Sequence, residues 1–131
     1  MNETKEITSI DDIKKLVDTF YDKVRKDELL GPIFDEKIGD RWPQHLQKMY
    51  SFWQTVLLGE HTYFGTPFPP HANLPVSRQH FQRWMELFKE TLDENFHGEN
   101  AKEAKFRAAK MAEMFESKIF YYQHRGNSGL V

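Results

Sequence analysis

The sequence predicts an all-α fold of four long helices joined by short helical pieces and turns. In four separate stretches of the 131-residue chain, apolar residues recur three and four positions apart, and no stretch of useful length alternates as a strand does. Serine and glycine residues that cap or stop helices stand at the ends of these stretches. The length fits one domain, so we expect residues 1–131 to form it, with a loose tail from about residue 123.

The first predicted helix covers residues 9–27. Ser9 is its candidate N-cap, and two aspartates follow in the first turn, where negative charge complements the helix dipole. The apolar stripe of this helix consists of Ile10, Ile13, Leu16, Val17, Phe20, Tyr21 and Val24. Gly31-Pro32 then breaks the pattern, and the pair Ile33-Phe34 returns toward the core.

The second long helix begins near Trp42 and stops at Gly59. His45 lies on its apolar stripe, one turn after Trp42, so we expect its side chain to point inward. Segment 64–75 follows and contains four prolines, which leave room for at most one helical turn. His71 stands in this stiff segment, and a histidine that is held in one place can serve as an axial metal ligand.

Two further helices complete the predicted fold. Ser77 can cap the first of them, whose stripe includes Trp84 and which ends near His97-Gly98. The second runs from about Ala101 to Tyr122 and starts with alanines that permit close helix packing. We expect the remaining histidines, at positions 61, 80, 97 and 124, to be structural or at the surface.

The composition argues against several classes of function. The 18 basic and 20 acidic residues are interleaved, which favours a solvated surface and argues against nucleic-acid binding. Because the chain has no cysteine, it can form neither disulfides nor thiolate metal sites. No apolar run approaches the roughly 20 residues that cross a bilayer, and no secretory signal is recognisable. We therefore expect a cytoplasmic monomer that makes no membrane contact.

Aromatic residues make up 15% of the chain, which indicates either a core of few large side chains or the walls of a flat cofactor. Haem needs an apolar slot and one strong axial ligand, and His71 can supply that ligand. Since there is no cysteine for covalent attachment, the haem would be haem b. From the residues alone the alternatives stay open, because His71 can be a surface histidine and Tyr21, Phe34 and His45 can be ordinary core residues.

A series of short motifs indicates a protein family more specifically than any single residue does. In chain order the motifs are Phe20–Asp27, Leu30–Phe34, Trp42–His45, Phe52-Trp53, Leu57–Gly59, Tyr63–Gly65, Pro70-His71 and Phe81–Trp84. Together, over roughly residues 10–120, they resemble the group III truncated haemoglobins of bacteria. The resemblance implies a truncated-globin fold, which is a two-over-two helical sandwich with a haem pocket.

The same resemblance implies roles for single residues. His71 would be the proximal iron ligand, and Phe34 the aromatic ring that stacks on the haem. Phe52-Trp53 are candidates for the cofactor wall. Lys48 is a candidate for contact with a haem propionate, although a solvated lysine is equally expected there. The resemblance places Tyr21, His45 and Trp84 on the distal side. Tyr21 and Trp84 would be the hydrogen-bond donors to a bound ligand.

The implied function is high-affinity binding of O2, NO or CO. Two hydrogen bonds of about 1.5 to 3 kcal/mol each would slow ligand release by about two to four powers of ten, which argues against bulk transport.

The candidate activities are nitric oxide dioxygenation and a weak peroxidase-like reaction with peroxide, in which His45 is the proton shuttle. Both require an unidentified reductase or electron donor. The alternatives are oxygen storage, gas sensing and a helix bundle without cofactor, and a visible spectrum separates the last from the others.

Overall fold

The computed structural model describes residues 3–63 and 76–128, apart from the side chains of residue 122 and residues 124–128. This described part contains four long helices, one short helix and a single 3₁₀ turn, Gly39–Arg41, which confirms the all-α prediction. In chain order the helices are α1 (Ile10–Lys26), α2 (Gly31–Ile38), α3 (Trp42–Leu58), α4 (Arg78–Asn95) and α5 (Glu99–Ser128). Within the described ranges, none of the helices combines the length and apolar character needed to span a membrane.

Helix α1 begins where the sequence predicts, because Ser9 and Asp12 cap it reciprocally. The Asp12 N–H donates to Ser9 Oγ (3.4 Å) and the Ser9 N–H donates to Asp12 Oδ2 (3.2 Å), which satisfies two backbone donors at the helix start. Lys5 Nζ forms an ion pair with Asp12 Oδ1 at 2.8 Å. The predicted apolar stripe is buried except for Ile10, which is half-buried, so the stripe faces the core.

Helix α2 was not predicted, because the sequence indicated only a break at Gly31-Pro32. Asp27 turns the chain there, since its Oδ2 accepts hydrogen bonds from the N–H groups of Leu29 (3.1 Å) and Leu30 (3.0 Å). Pro32 then stands in the first turn of α2, where a missing N–H breaks no helical hydrogen bond. A side chain at Gly31 would place a Cβ 2.6 Å from a carbonyl oxygen of α1, so glycine permits this close approach.

The helices pack as the two-over-two sandwich that the resemblance implies. Helix α1 packs against both α3 and α4, while α4 packs against α5 and α2 packs on α1. The centre of the core is formed by the buried side chains of Ile13, Leu16, Phe20, Val24, Phe88 and Leu92. Helices α1 and α4 therefore contribute most of the largest fully buried side chains.

The last helix is longer than the sequence predicts. Helix α5 continues to Ser128, beyond the predicted helix end near Tyr122 and into the stretch that the sequence assigns to a loose tail. Gln123 Nε2 donates to the carbonyl oxygen of Val76 at 3.1 Å, which ties the final turns of α5 to the chain just before α4. The prediction of a very short or absent helix between Gly65 and Pro75 concerns residues 64–75, which lie outside the described part, as do residues 129–131.

Candidate functional site

Side chains from all five helices line one pocket. The pocket is partly open to solvent. Its walls are aromatic and aliphatic, and the side-chain N–H and O–H groups among the described lining residues belong to Tyr21, Trp53, His80 and Trp84. Such an apolar cavity with a few polar groups is typical of a small-molecule or cofactor site.

Tyr21 of α1 lies where the pocket wall meets a cluster of rings. Its ring centroid is 5.0 Å from that of His45, 5.8 Å from that of Trp42 and 6.3 Å from that of Phe34. Burial raises the pKa of Tyr21, because the phenolate would lose its hydration. The phenol therefore stays protonated at physiological pH and can donate a hydrogen bond.

His45 of α3 stands behind Tyr21 and does not itself line the pocket. Its Nε2 atom is buried, in agreement with the predicted inward orientation, and its ring meets Trp42 edge to face with centroids 5.5 Å apart. Trp42 is fixed in turn, since its Nε1 donates to Asp35 Oδ1 at 3.1 Å and Arg25 lies over its ring at 4.6 Å. The imidazole is thus held between two rings.

Trp84 of α4 lines the same pocket as Tyr21. Phe20 lies between them, with ring centroids 4.9 Å from Tyr21 and 5.2 Å from Trp84. The Trp84 ring also stacks on Phe88, nearly parallel at 5.4 Å, and Phe88 stacks on Trp53 at 5.2 Å. This chain of aromatic contacts crosses from α1 to α4 and α3 and fixes the positions of the two polar aromatic residues.

The structure brings most of the predicted site residues together. Five of them line the pocket, namely Tyr21, Phe34, Phe52, Trp53 and Trp84. Lys48 is exposed on α3 and does not belong to the described lining. His71, the predicted iron ligand, lies outside the described residues.

Sequence reasoning missed other parts of the wall. Met111, Phe115 and Ile119 of α5 line the pocket, as does His80 of α4. The α5 residues belong to a recognisable helical stripe, but such a stripe predicts burial and not which cavity a side chain lines. His80 follows Ser77 by three positions, the spacing of a helix cap, and that local signal was available in the sequence.

The described walls fit the haem that the resemblance implies. A flat macrocycle needs apolar contact on its faces, which Phe34, Phe52 and Trp53 can supply from α2 and α3. A hydrogen-bond donor stabilises a bound diatomic ligand, and the protonated Tyr21 hydroxyl belongs to the same wall. The lining residues therefore agree with a haem pocket whose apolar wall carries a few hydrogen-bond donors.

Comparisons with known proteins agree with this geometry. The family model of the bacterial-like globins matches residues 5–120. A group 3 truncated haemoglobin of Campylobacter jejuni is 39% identical over 114 residues, which cover 84% of this chain and 90% of the relative.

Two solved structures resemble the fold. The crystal structure of a group III truncated haemoglobin from Campylobacter jejuni superposes with a TM-score of 0.81 at 37% identity, covering 92% of this chain and 98% of that one. The X-ray structure of a truncated oxygen-avid haemoglobin from Bacillus subtilis gives a TM-score of 0.68 at 24% identity, covering 82% and 92%. The second likeness supports the fold alone.

Proposed function

The chain belongs to the bacterial-like globin family, among its group III truncated haemoglobins, and we propose that it binds haem b in the aromatic pocket and retains a diatomic ligand there. Haem supplies a metal centre at which O2, NO or CO can bind. Family membership implies haem-based gas binding. The b type follows in our proposal from the absence of any cysteine that could attach the porphyrin covalently.

The observation that carries the proposal is the presence of Tyr21 and Trp84 in the wall of one apolar pocket. Burial keeps the Tyr21 hydroxyl protonated, so it donates to an electron-rich ligand atom without needing an acidic pH. Hydrogen bonds formed in a water-poor pocket slow ligand escape. Slow release of the ligand is compatible with its retention or with a reaction of the bound ligand, but not with transport.

We assign the axial ligand to His71. The support is the Pro70-His71 motif of the group III resemblance and the position of His71 within the matched residues 5–120. Phe34, Phe52 and Trp53 would pack on the haem, and Lys48 would reach a haem carboxylate from the rim.

The reaction that this pocket supports best is the removal of nitric oxide. Retained O2 combines with NO and one electron to give nitrate, and the electron comes from a reductase that remains to be identified. Tyr21 and Trp84 hold the oxygen in place until NO arrives.

A second candidate is the reduction of peroxide to two waters, which takes two protons and two electrons. His45, whose ring lies 5.0 Å from that of Tyr21, favours this second reaction because an imidazole can deliver protons near neutral pH.

An absorption spectrum of the purified protein tests the proposal. We expect a Soret band that shifts on addition of CO, near-complete loss of haem in His71→Ala, and retention of haem in His45→Ala as the matched control. A colourless protein would overturn the haem proposal. A His71→Ala variant with normal haem content would overturn the assignment of the axial ligand.

Nitrate formation tests the reaction. Wild-type protein that has been reduced and loaded with O2 should convert added NO to nitrate in a one-to-one ratio. Release of O2 without nitrate would favour storage.

A further inference from the structure

His80 is an imidazole of the pocket wall whose tautomer is fixed by its neighbours. It stands at the third position of α4, and its ring forms a capping box with Ser77. The backbone N–H of Ser77 donates to His80 Nδ1 at 3.0 Å, and Ser77 Oγ lies 3.2 Å from the same atom. A backbone N–H can only donate, so Nδ1 is an acceptor and the proton of the neutral ring is on Nε2.

This tautomer decides what His80 can bind. A neutral imidazole binds a metal through a nitrogen that carries no proton, and the nitrogen without a proton is already occupied by Ser77. Nε2–H remains as a hydrogen-bond donor on a ring that lines the pocket. His80 is therefore suited to an acceptor group of the bound molecule and not to its metal.

The surroundings of His80 indicate which acceptor. His80 is half-buried and so keeps some contact with solvent, whereas Phe20 and Phe88 are buried. No lysine or arginine belongs to the pocket lining within residues 3–63 and 76–128, and Lys48 is exposed outside it. A carboxylate that enters the pocket with an apolar ring system thus finds a single imidazole N–H in the described wall, that of His80. The other side-chain donors of this wall are the Tyr21 hydroxyl and the indole N–H groups of Trp53 and Trp84.

We propose that His80 binds a carboxylate of the haem through its Nε2–H and so holds the cofactor in the pocket. The proposal rests on the proposed function, because it assigns a further residue to the same haem site. His80 acts on the periphery of the cofactor, far from its metal chemistry, so the rate of haem loss is the quantity that it controls.

Two substitutions separate this role from helix capping. Gln and Glu at position 80 both complete a capping box with Ser77, so the urea unfolding midpoints of both apoproteins should match wild type. His80→Gln keeps a neutral N–H donor, whereas His80→Glu presents only acceptors and a negative charge. We expect haem transfer to an excess of an apo-acceptor protein to be about tenfold faster or more for His80→Glu and within about threefold of wild type for His80→Gln.

Haem dimethyl ester, in which both carboxylates are esterified, provides the decisive control. If His80 contacts a carboxylate, the rate difference between wild type and His80→Glu should shrink to about threefold or less with the ester. An equal rate difference with both haems, or no difference with either, would overturn the role of His80. Wild-type protein that binds no haem at all would instead overturn the proposed function, so the two failures are distinguishable.

Discussion

Arg83 Nε donates to Asp27 Oδ1 at 2.6 Å, and this ion pair joins the end of α1 to α4. The other oxygen of the same carboxylate accepts from the N–H groups of Leu29 and Leu30, which start the turn into α2. One buried side chain therefore connects the three helices that carry Tyr21, Phe34 and Trp84. Burial alone would raise the pKa of Asp27, but the hydrogen bonds from Arg83 and the two backbone groups outweigh it and lower the pKa.

Replacing this carboxylate should destabilise the fold. We predict that Asp27→Ala lowers the free energy of unfolding by about 2 kcal/mol, because the turn loses its cap and Arg83 loses its partner. Asp22 is the matched control, since it lies near the end of α1 and forms an exposed ion pair with Lys26. Asp22→Ala should cost less than about 0.5 kcal/mol. Equal urea midpoints for the two variants would contradict the special role of Asp27.

Acid stability should depend on Asp12. Burial acts to raise the pKa of this carboxyl, but hydrogen bonds from Lys5 and from the N-cap region lower it from 3.8 to about 2. Because the folded-state pKa is the lower one, the stabilisation is present above pH 3.8 and is lost as the pH falls to about 2. The shift corresponds to about 2 kcal/mol.

Urea unfolding at several pH values measures this contribution. We predict that Asp12→Asn is less stable than wild type by about 2 kcal/mol at pH 7 and that the difference vanishes near pH 2. Asp11→Asn, at the exposed neighbouring position, should cost less than about 1 kcal/mol at pH 7. A difference for Asp12→Asn that stays constant from pH 7 to pH 2 would show that its charge does not stabilise the fold.

His45 should influence ligand entry more than ligand retention. It stands behind Tyr21 and outside the pocket lining, so it has no described route to the ligand except through its neighbours. We predict that His45→Leu changes the CO association rate several-fold and leaves O2 dissociation within about threefold of wild type. Gln47→Leu, at an exposed position of α3, is the control for a new apolar side chain. An acceleration of O2 release as large as that of Tyr21→Phe would place His45 among the retaining residues.

The fold could be predicted where local signals decide the structure. Ser9 caps α1, Gly59 adopts a positive φ of 70° at the end of α3, and Ser77 caps α4, all as the sequence indicates. Helix α2 was missed because its start depends on the side chain of Asp27, the residue that directly follows the last residue of α1. The length of α5 was underestimated because Gln123 is held by Val76, a contact 47 positions away in sequence.

The site was predictable to a similar degree. The motifs identified the five lining residues because a family resemblance carries spatial information that spacing does not. They did not identify His80, since its pocket position depends on how the start of α4 meets α5. The haem content of His71→Ala tests the proposed role of His71.

Oxygen dissociation tests the central claim most directly, namely that the pocket retains a diatomic ligand through its own hydrogen-bond donors. We predict that Tyr21→Phe and Trp84→Phe each release O2 about tenfold faster or more than wild type in stopped-flow measurements. The double variant should release O2 more slowly than the product of the two single effects predicts. The effects are coupled because both residues act on one ligand and are linked through Phe20. Unchanged rates in both single variants would contradict the account.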